Sequence, residues 1–89
     1  MHLYTFVTDF AGGTYVSQCS AEDHMEAYKD WLDQLLLEEI CSGVSLQVAQ
    51  AFAGSSVHDF VAVDGLVNVW CATATAEDEL VLLHLIRSA

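Results

Sequence analysis

Three cysteines, four histidines and thirteen carboxylates are what this 89-residue chain can bring to chemistry. A cysteine nucleophile needs a nearby cation or a helix N-terminus to lower its pKa. Only Cys19 has such a setting, just ahead of a predicted helix start with His24 nearby, while Glu22 and Asp23 oppose a thiolate. It therefore reads as a half-buried strand cysteine acting as a small apolar residue. Cys41 and Cys71 lack even that context. Zinc calls for four ligands with at least one close pair on a turn or helix. His2, His24, His58 and His84 contain no i, i+4 pair, and the neighbours Asp23-His24 and His58-Asp59 would point to opposite faces of a strand. The sequence thus predicts no metal site and no cofactor. GxSxG, HExxH, GxxxxGKS and GxGxxG are all missing. The expectation is a protein that is not an enzyme.

The carboxylates are the informative group. Seven of the thirteen fall between Glu22 and Glu39, against only two basic residues in the whole chain, Lys29 and Arg87. On a helical wheel Met25, Tyr28, Trp31, Leu32, Leu35 and Leu36 gather on one side, and Glu22, Glu26, Asp30 and Asp33 on the other. Catalytic carboxylates need a pocket to shift their pKa, and a solvated helix face offers none. Like charges at i, i+4 cost helix stability, and only Lys29 lies close enough to answer Glu22, Glu26 and Asp30. Leu37 falls inside the acidic face, an apolar anchor ringed by charge. These five residues, Glu22, Glu26, Asp30, Asp33 and Leu37, are the candidate partner-binding site. Acidic charge steers a basic protein partner toward it.

That helix needs a sheet beneath it. Leu3 to Phe10 is rich in β-branched and aromatic residues and predicts a strand. Ala11-Gly12-Gly13 predicts a turn and Thr14 to Cys19 the return strand. Ser20 is the expected N-cap, with Asp23 three residues on approximating a capping box, and Ser42-Gly43 the expected stop. Val44 to Ala53 fits either a strand or a short helix capped by Ser45 and closed by Gly54; the helix is the expectation. Val57 to Val63 predicts a short strand or extended segment before the Asp64-Gly65 turn. Leu66 to Thr75 and Glu79 to Arg87 predict a second hairpin around Ala76-Glu77-Asp78. The outcome is a single α+β domain of order β-β-α-(α)-β-β, an antiparallel sheet with the main helix across one face.

Charge and hydropathy limit the function classes. A net charge of −11 repels nucleic acid and anionic membrane and attracts basic surfaces. No apolar run approaches the roughly eighteen residues of a membrane span, and no signal peptide is visible. Three cysteines without CxxC spacing suit reduced thiols in the cytoplasm. A hydrophobic fraction of 54% exceeds what so small a domain can bury alone. In the last strand Leu80, Leu82 and Ile86 face one way and Val81, Leu83 and Leu85 the other, with His84 among them. A strand apolar on both sides predicts a homodimer through this C-terminal strand.

The blocks Gly12-Gly13-Thr14-Tyr15-Val16-Ser17-Gln18 and Gly65-Leu66-Val67-Asn68-Val69-Trp70-Cys71 resemble recurring blocks of small bacterial proteins. The build as a whole, one small acidic α+β domain, is similar to immunity proteins that neutralise toxin domains. The resemblance lies in size, charge and architecture over the whole chain. It implies an inhibitor whose acidic surface covers a basic toxin or nuclease. Two other functions compete with it. One is a small-ligand-binding or enzyme subunit with a sheet–helix pocket near Tyr15, Cys19 and Trp70. The other is a domain whose only task is self-association.

Overall fold

Period-two alternation sets out the sheet. The computed structural model describes residues 1–41, 43–53 and 61–88. Its strands are β1 (His2–Phe10), β2 (Gly13–Ala21), β3 (Val61–Ala62), β4 (Val69–Ala76) and β5 (Glu79–Arg87). Two helices, α1 (His24–Leu37) and α2 (Ser45–Ala53), lie between β2 and β3 in the chain. Every strand pairing is antiparallel, in the spatial order β2-β1-β5-β4-β3. The α+β class and the two-layer plan expected from the sequence both hold.

Two tight hairpins frame the sheet. Ala11 (φ 52°) and Gly12 (φ 81°) turn β1 into β2, and Glu77 (φ 52°) and Asp78 (φ 66°) turn β4 into β5. Positive φ at both central residues is the type I′ geometry, which matches strand twist. The first return strand begins at Gly13 and runs to Ala21, beyond the expected Thr14 to Cys19. β4 starts later than expected, at Val69, and leaves Leu66 and Val67 exposed in the preceding turn. The Asp64-Gly65 turn is present, closed by the Leu66 amide donating to the Val63 carbonyl at 3.2 Å. Residues 57–60 of the expected Val57–Val63 segment lie outside the described residues; Val61–Ala62 pairs with β4.

One sheet face is the core. Tyr4, Phe6, Phe10, Val81, Leu83 and Leu85 are buried there, with the small Ala72, Ala74 and Ala76 of β4 leaving room for the helices above. Trp31 of α1 stacks on Phe6 at 5.6 Å, and Phe52 of α2 meets Trp31 edge-on at 5.5 Å. The Trp31 indole N–H has no hydrogen-bond acceptor among the described residues. Burial raises the Cys41 thiol and the buried Thr8 hydroxyl opposes the rise, which sets the link between the helices against β1.

The helix ends depart from expectation. Asp23 is the N-cap of α1, its Oδ1 accepting from the Glu26 amide at 2.8 Å, while Ser20 still belongs to β2. The strand runs on because Ala21 pairs with His2 and is fully buried. Glu22 is the first residue beyond the ladder, and Asp23 follows it as the cap. The helix ends at Leu37, with the Glu38 amide donating to the Gln34 carbonyl and Glu39 at φ 50°, ahead of the expected Ser42-Gly43 stop. Ser42 itself lies outside the described residues, as does Gly54. Ser45 is the first residue of α2. Its hydroxyl donates to the Cys41 carbonyl at 2.9 Å and accepts from the Cys41 amide at 3.0 Å.

Candidate protein-binding surface

The buried stripe of α1 is Ala27, Tyr28, Trp31 and Leu35, with Leu32 half-buried. Met25 (44% exposed) and Leu36 (58%) lie outside it, contrary to the expectation that both would be buried. The reason is that Ala27 seats α1 against β2. Its carbonyl accepts the Cys19 thiol at 3.8 Å, and so close an approach suits alanine better than a larger side chain. The helix is thereby rolled about its axis, and the flank carrying Met25 and Leu36 turns out.

The same roll sets the acidic stripe. Glu22, Glu26 and Asp33 are exposed, Asp30 is half-buried, and Leu37 is 82% exposed among them. Glu26, Asp30, Asp33 and Leu37 thus share one outward sector of α1, whereas Glu22, expected on the same helical face, precedes the N-cap and lies outside the helix. Asp30 and Glu26 lie toward β2. Burial pushes the Cys19 thiol up, and the Asp30 and Glu26 carboxylates push it further. That is the reverse of an activated nucleophile.

The residues of the alternative pocket are only partly gathered. Cys19 faces Tyr4 across the β1–β2 ladder, and Tyr4 tilts against Trp70 at 6.5 Å. Tyr15 pairs with Thr8, four residues along the strand from Cys19, and is not part of that group. The His24 ring lies flat on Trp70 at 4.7 Å, which occupies the aromatic face a ligand would use. Burial raises the Tyr4 phenol, Arg87 opposes the rise, and Asp23 and Cys19 add to it. This junction of Tyr4, His24 and Trp70 was not legible in the sequence, since its members come from three elements. A cavity of about 190 Å³ opens elsewhere, lined by Gln47, Gln50, Ala51, Thr75, Ala76 and Glu77. It is smaller than the roughly 300 Å³ from which small-molecule sites begin. Among the described residues no three His, Cys, Asp or Glu side chains come together as a metal site. No helix among them is long and apolar enough to cross a membrane.

The second sheet face is different in kind. Val7, Val16, Leu80, Leu82, His84 and Ile86 point away from both helices, and no described element lies over them. β5 is central in the sheet, yet only its Val81, Leu83 and Leu85 side is fully buried. Asp9 is the one carboxylate on this face among the described strand residues, and it accepts the Thr14 hydroxyl at 2.6 Å.

No family model matches the chain, and neither the curated proteins nor the solved structures contain a match to it.

Proposed function

We propose that this protein is a non-enzymatic binding module that recognises a basic protein through the outer face of α1, in the manner of an immunity-type inhibitor of a toxin or nuclease. One observation carries it: Glu26, Asp30 and Asp33 flank an 82% exposed leucine, Leu37, on the outer side of α1, and the exposed Glu22 stands just before the N-cap. Exposed carboxylates steer a basic surface and raise its on-rate. Leu37 supplies the apolar contact that charge alone lacks, since hot spots are desolvated side chains within a polar rim. The test is affinity capture from cell extract at low and high salt, with the wild-type protein and the variant E22Q/E26Q/D30N/D33N. Basic proteins retained at low salt by the wild type and lost by the variant support this function. Identical captures from both would refute it.

A second surface bears on assembly. The uncovered side of β5 supports self-association, because Leu80, Leu82 and Ile86 meet no described element and bring no charge to a like surface. Packing two such faces is ordinary sheet-on-sheet geometry. Sedimentation of the wild type against Leu82→Lys tests it: a dimer that the substitution abolishes is expected, and a wild-type monomer at high concentration refutes it.

A further inference from the structure

Among the described residues the edge of the sheet at β2 is unguarded. Natural edge strands are blunted by short length, bulges, proline or charge. β2 runs nine residues, Gly13-Thr14-Tyr15-Val16-Ser17-Gln18-Cys19-Ser20-Ala21, with none of these protections. Its register against β1 is unbroken from Phe10↔Gly13 to His2↔Ala21, so no bulge interrupts it. Among the described residues no strand pairs with its outer side.

The hairpin fixes which main-chain groups that edge offers. In a two-residue hairpin the residues flanking the turn, here Phe10 and Gly13, form a hydrogen-bonded pair, and such pairs recur at every second position. Gly13, Tyr15, Ser17, Cys19 and Ala21 therefore direct their amides and carbonyls to β1. Thr14, Val16, Gln18 and Ser20 direct theirs outward. Each brings one donor and one acceptor, enough for a full ladder with an added strand.

What lies above that edge selects the occupant. α1 packs over β2 through Ala27 and Cys19, and Glu26 and Asp30 are near enough to perturb the Cys19 thiol. Alternate side chains of an added strand would rise on that side of the sheet and meet these carboxylates. Helix residues four apart advance about 6 Å, and strand residues two apart about 6.7 Å. Consecutive upward side chains of an extended segment thus have nearly the spacing of Glu26 and Asp30. A second copy of β2 would suit the main chain but would bring a second α1, and its carboxylates, against the first. A basic segment has no such penalty.

We propose that the free edge of β2 captures an extended segment of a partner protein by strand addition, with lysine or arginine at alternate positions answering Glu26 and Asp30. This rests on the acidic-face function above and adds to it a binding mode, in which main-chain pairing gives affinity and alternate side chains give selectivity.

The probe is a labelled peptide alternating lysine with valine, together with a twin of the same sequence N-methylated along its pairing edge. Anisotropy at low salt should give at least tenfold tighter binding for the unmethylated peptide. On binding, hydrogen exchange should slow at the amides of Thr14, Val16, Gln18 and Ser20. Val16→Pro removes one outward amide and no bond to β1, and proline is tolerated on an edge strand whose N–H faces solvent. It should weaken binding at least tenfold while circular dichroism stays unchanged, and E26Q/D30N should weaken it and flatten its salt dependence. If both peptides bind alike, and E26Q/D30N weakens both, strand addition is overturned and the acidic face stands. If neither peptide binds at low salt, both fall. The twin peptide and the exchange measurement use the wild-type protein, so they decide the matter even if Val16→Pro misfolds.

Discussion

Raising the pH above 10 should destabilise this protein through Tyr28. The ring is 4% exposed, lying against Trp31 at 6.1 Å and meeting Phe52 at 6.1 Å. Burial pushes its phenol from the ordinary value near 10 up to about 12. The folded state therefore holds this proton more tightly than the unfolded chain. Stability from such a group is complete below the unfolded value and is lost as the pH rises through the folded one. Linkage puts the loss at about 1.4 kcal/mol by pH 11, and at about 2.7 kcal/mol once the pH exceeds both values. With a urea slope of about 1 kcal/mol per molar for a small domain, the midpoint at pH 11 falls by about 1.4 M. The assay is urea unfolding followed by far-ultraviolet circular dichroism from pH 8 to pH 11, on the wild type and on Tyr28→Phe. Tyr4, whose phenol burial also raises, is present in both proteins and cancels in the comparison. The two midpoints should converge or cross as the pH rises. Curves that stay parallel to pH 11 would mean that Tyr28 ionises as readily folded as unfolded, and the linkage would be refuted.

Further outcomes follow from burial and capping. Asp23→Ala removes the acceptor of the Glu26 amide and should cost about 1 kcal/mol in chemical denaturation; a neutral result would mean the cap contributes nothing. Leu83→Ala, in the core, should cost about 2–5 kcal/mol, whereas Leu82→Ala, one residue along on the uncovered face, should cost far less at concentrations that keep the protein monomeric. Equal losses would mean that β5 is covered on both sides. In a timed alkylation read by mass spectrometry, half-buried Cys71 should react before Cys19 and Cys41, whose thiols burial pushes up. Prior reaction at Cys41 would contradict its place in the core.

The elements legible in the sequence are those whose signal is local. The β-branched and aromatic content of Leu3 to Phe10 and the apolar run within Glu79 to Arg87, joined to tight turns, are enough to draw both hairpins, because each strand finds its partner next to it in the chain. The pairing of β1 with β5 has no such signal, since its residues, such as Thr8 and Leu83, lie far apart in sequence. The capping pattern points to Ser20 because it cannot see that Ala21 is still held by His2 across the sheet. The outer face of α1 was legible because carboxylates mark the solvent side. Its inner edge was not. Hydrophobicity ranks Met25 and Leu36 above Ala27, yet the close approach to β2 favours the smallest side chain. The β2 edge is not legible in the sequence for a related reason: which strand is outermost depends on the β1–β5 pairing.

Where the carboxylates stand bears on whether they serve solubility alone. Charge anywhere on the surface keeps a small apolar domain soluble. The uncovered face offers obvious sites for it, since Val16 is 63% exposed and Leu80 is 61% exposed. A carboxylate at either would raise solubility, and at Val16 it would also protect the β2 edge. Instead, Glu26 and Asp30 stand four apart within α1, where such a like pair costs the helix about 0.2–0.5 kcal/mol. Solubility gives no reason to accept that cost while a free edge stays uncharged and the apolar face carries one carboxylate, Asp9, among the described strand residues. Recognition does, because a basic strand at β2 needs an uncharged edge to pair with and carboxylates beside it to answer. Neutralising Glu26 and Asp30 should accordingly make the protein slightly more stable even as it weakens capture of a basic segment. A stripe that served solubility alone would give the first effect without the second.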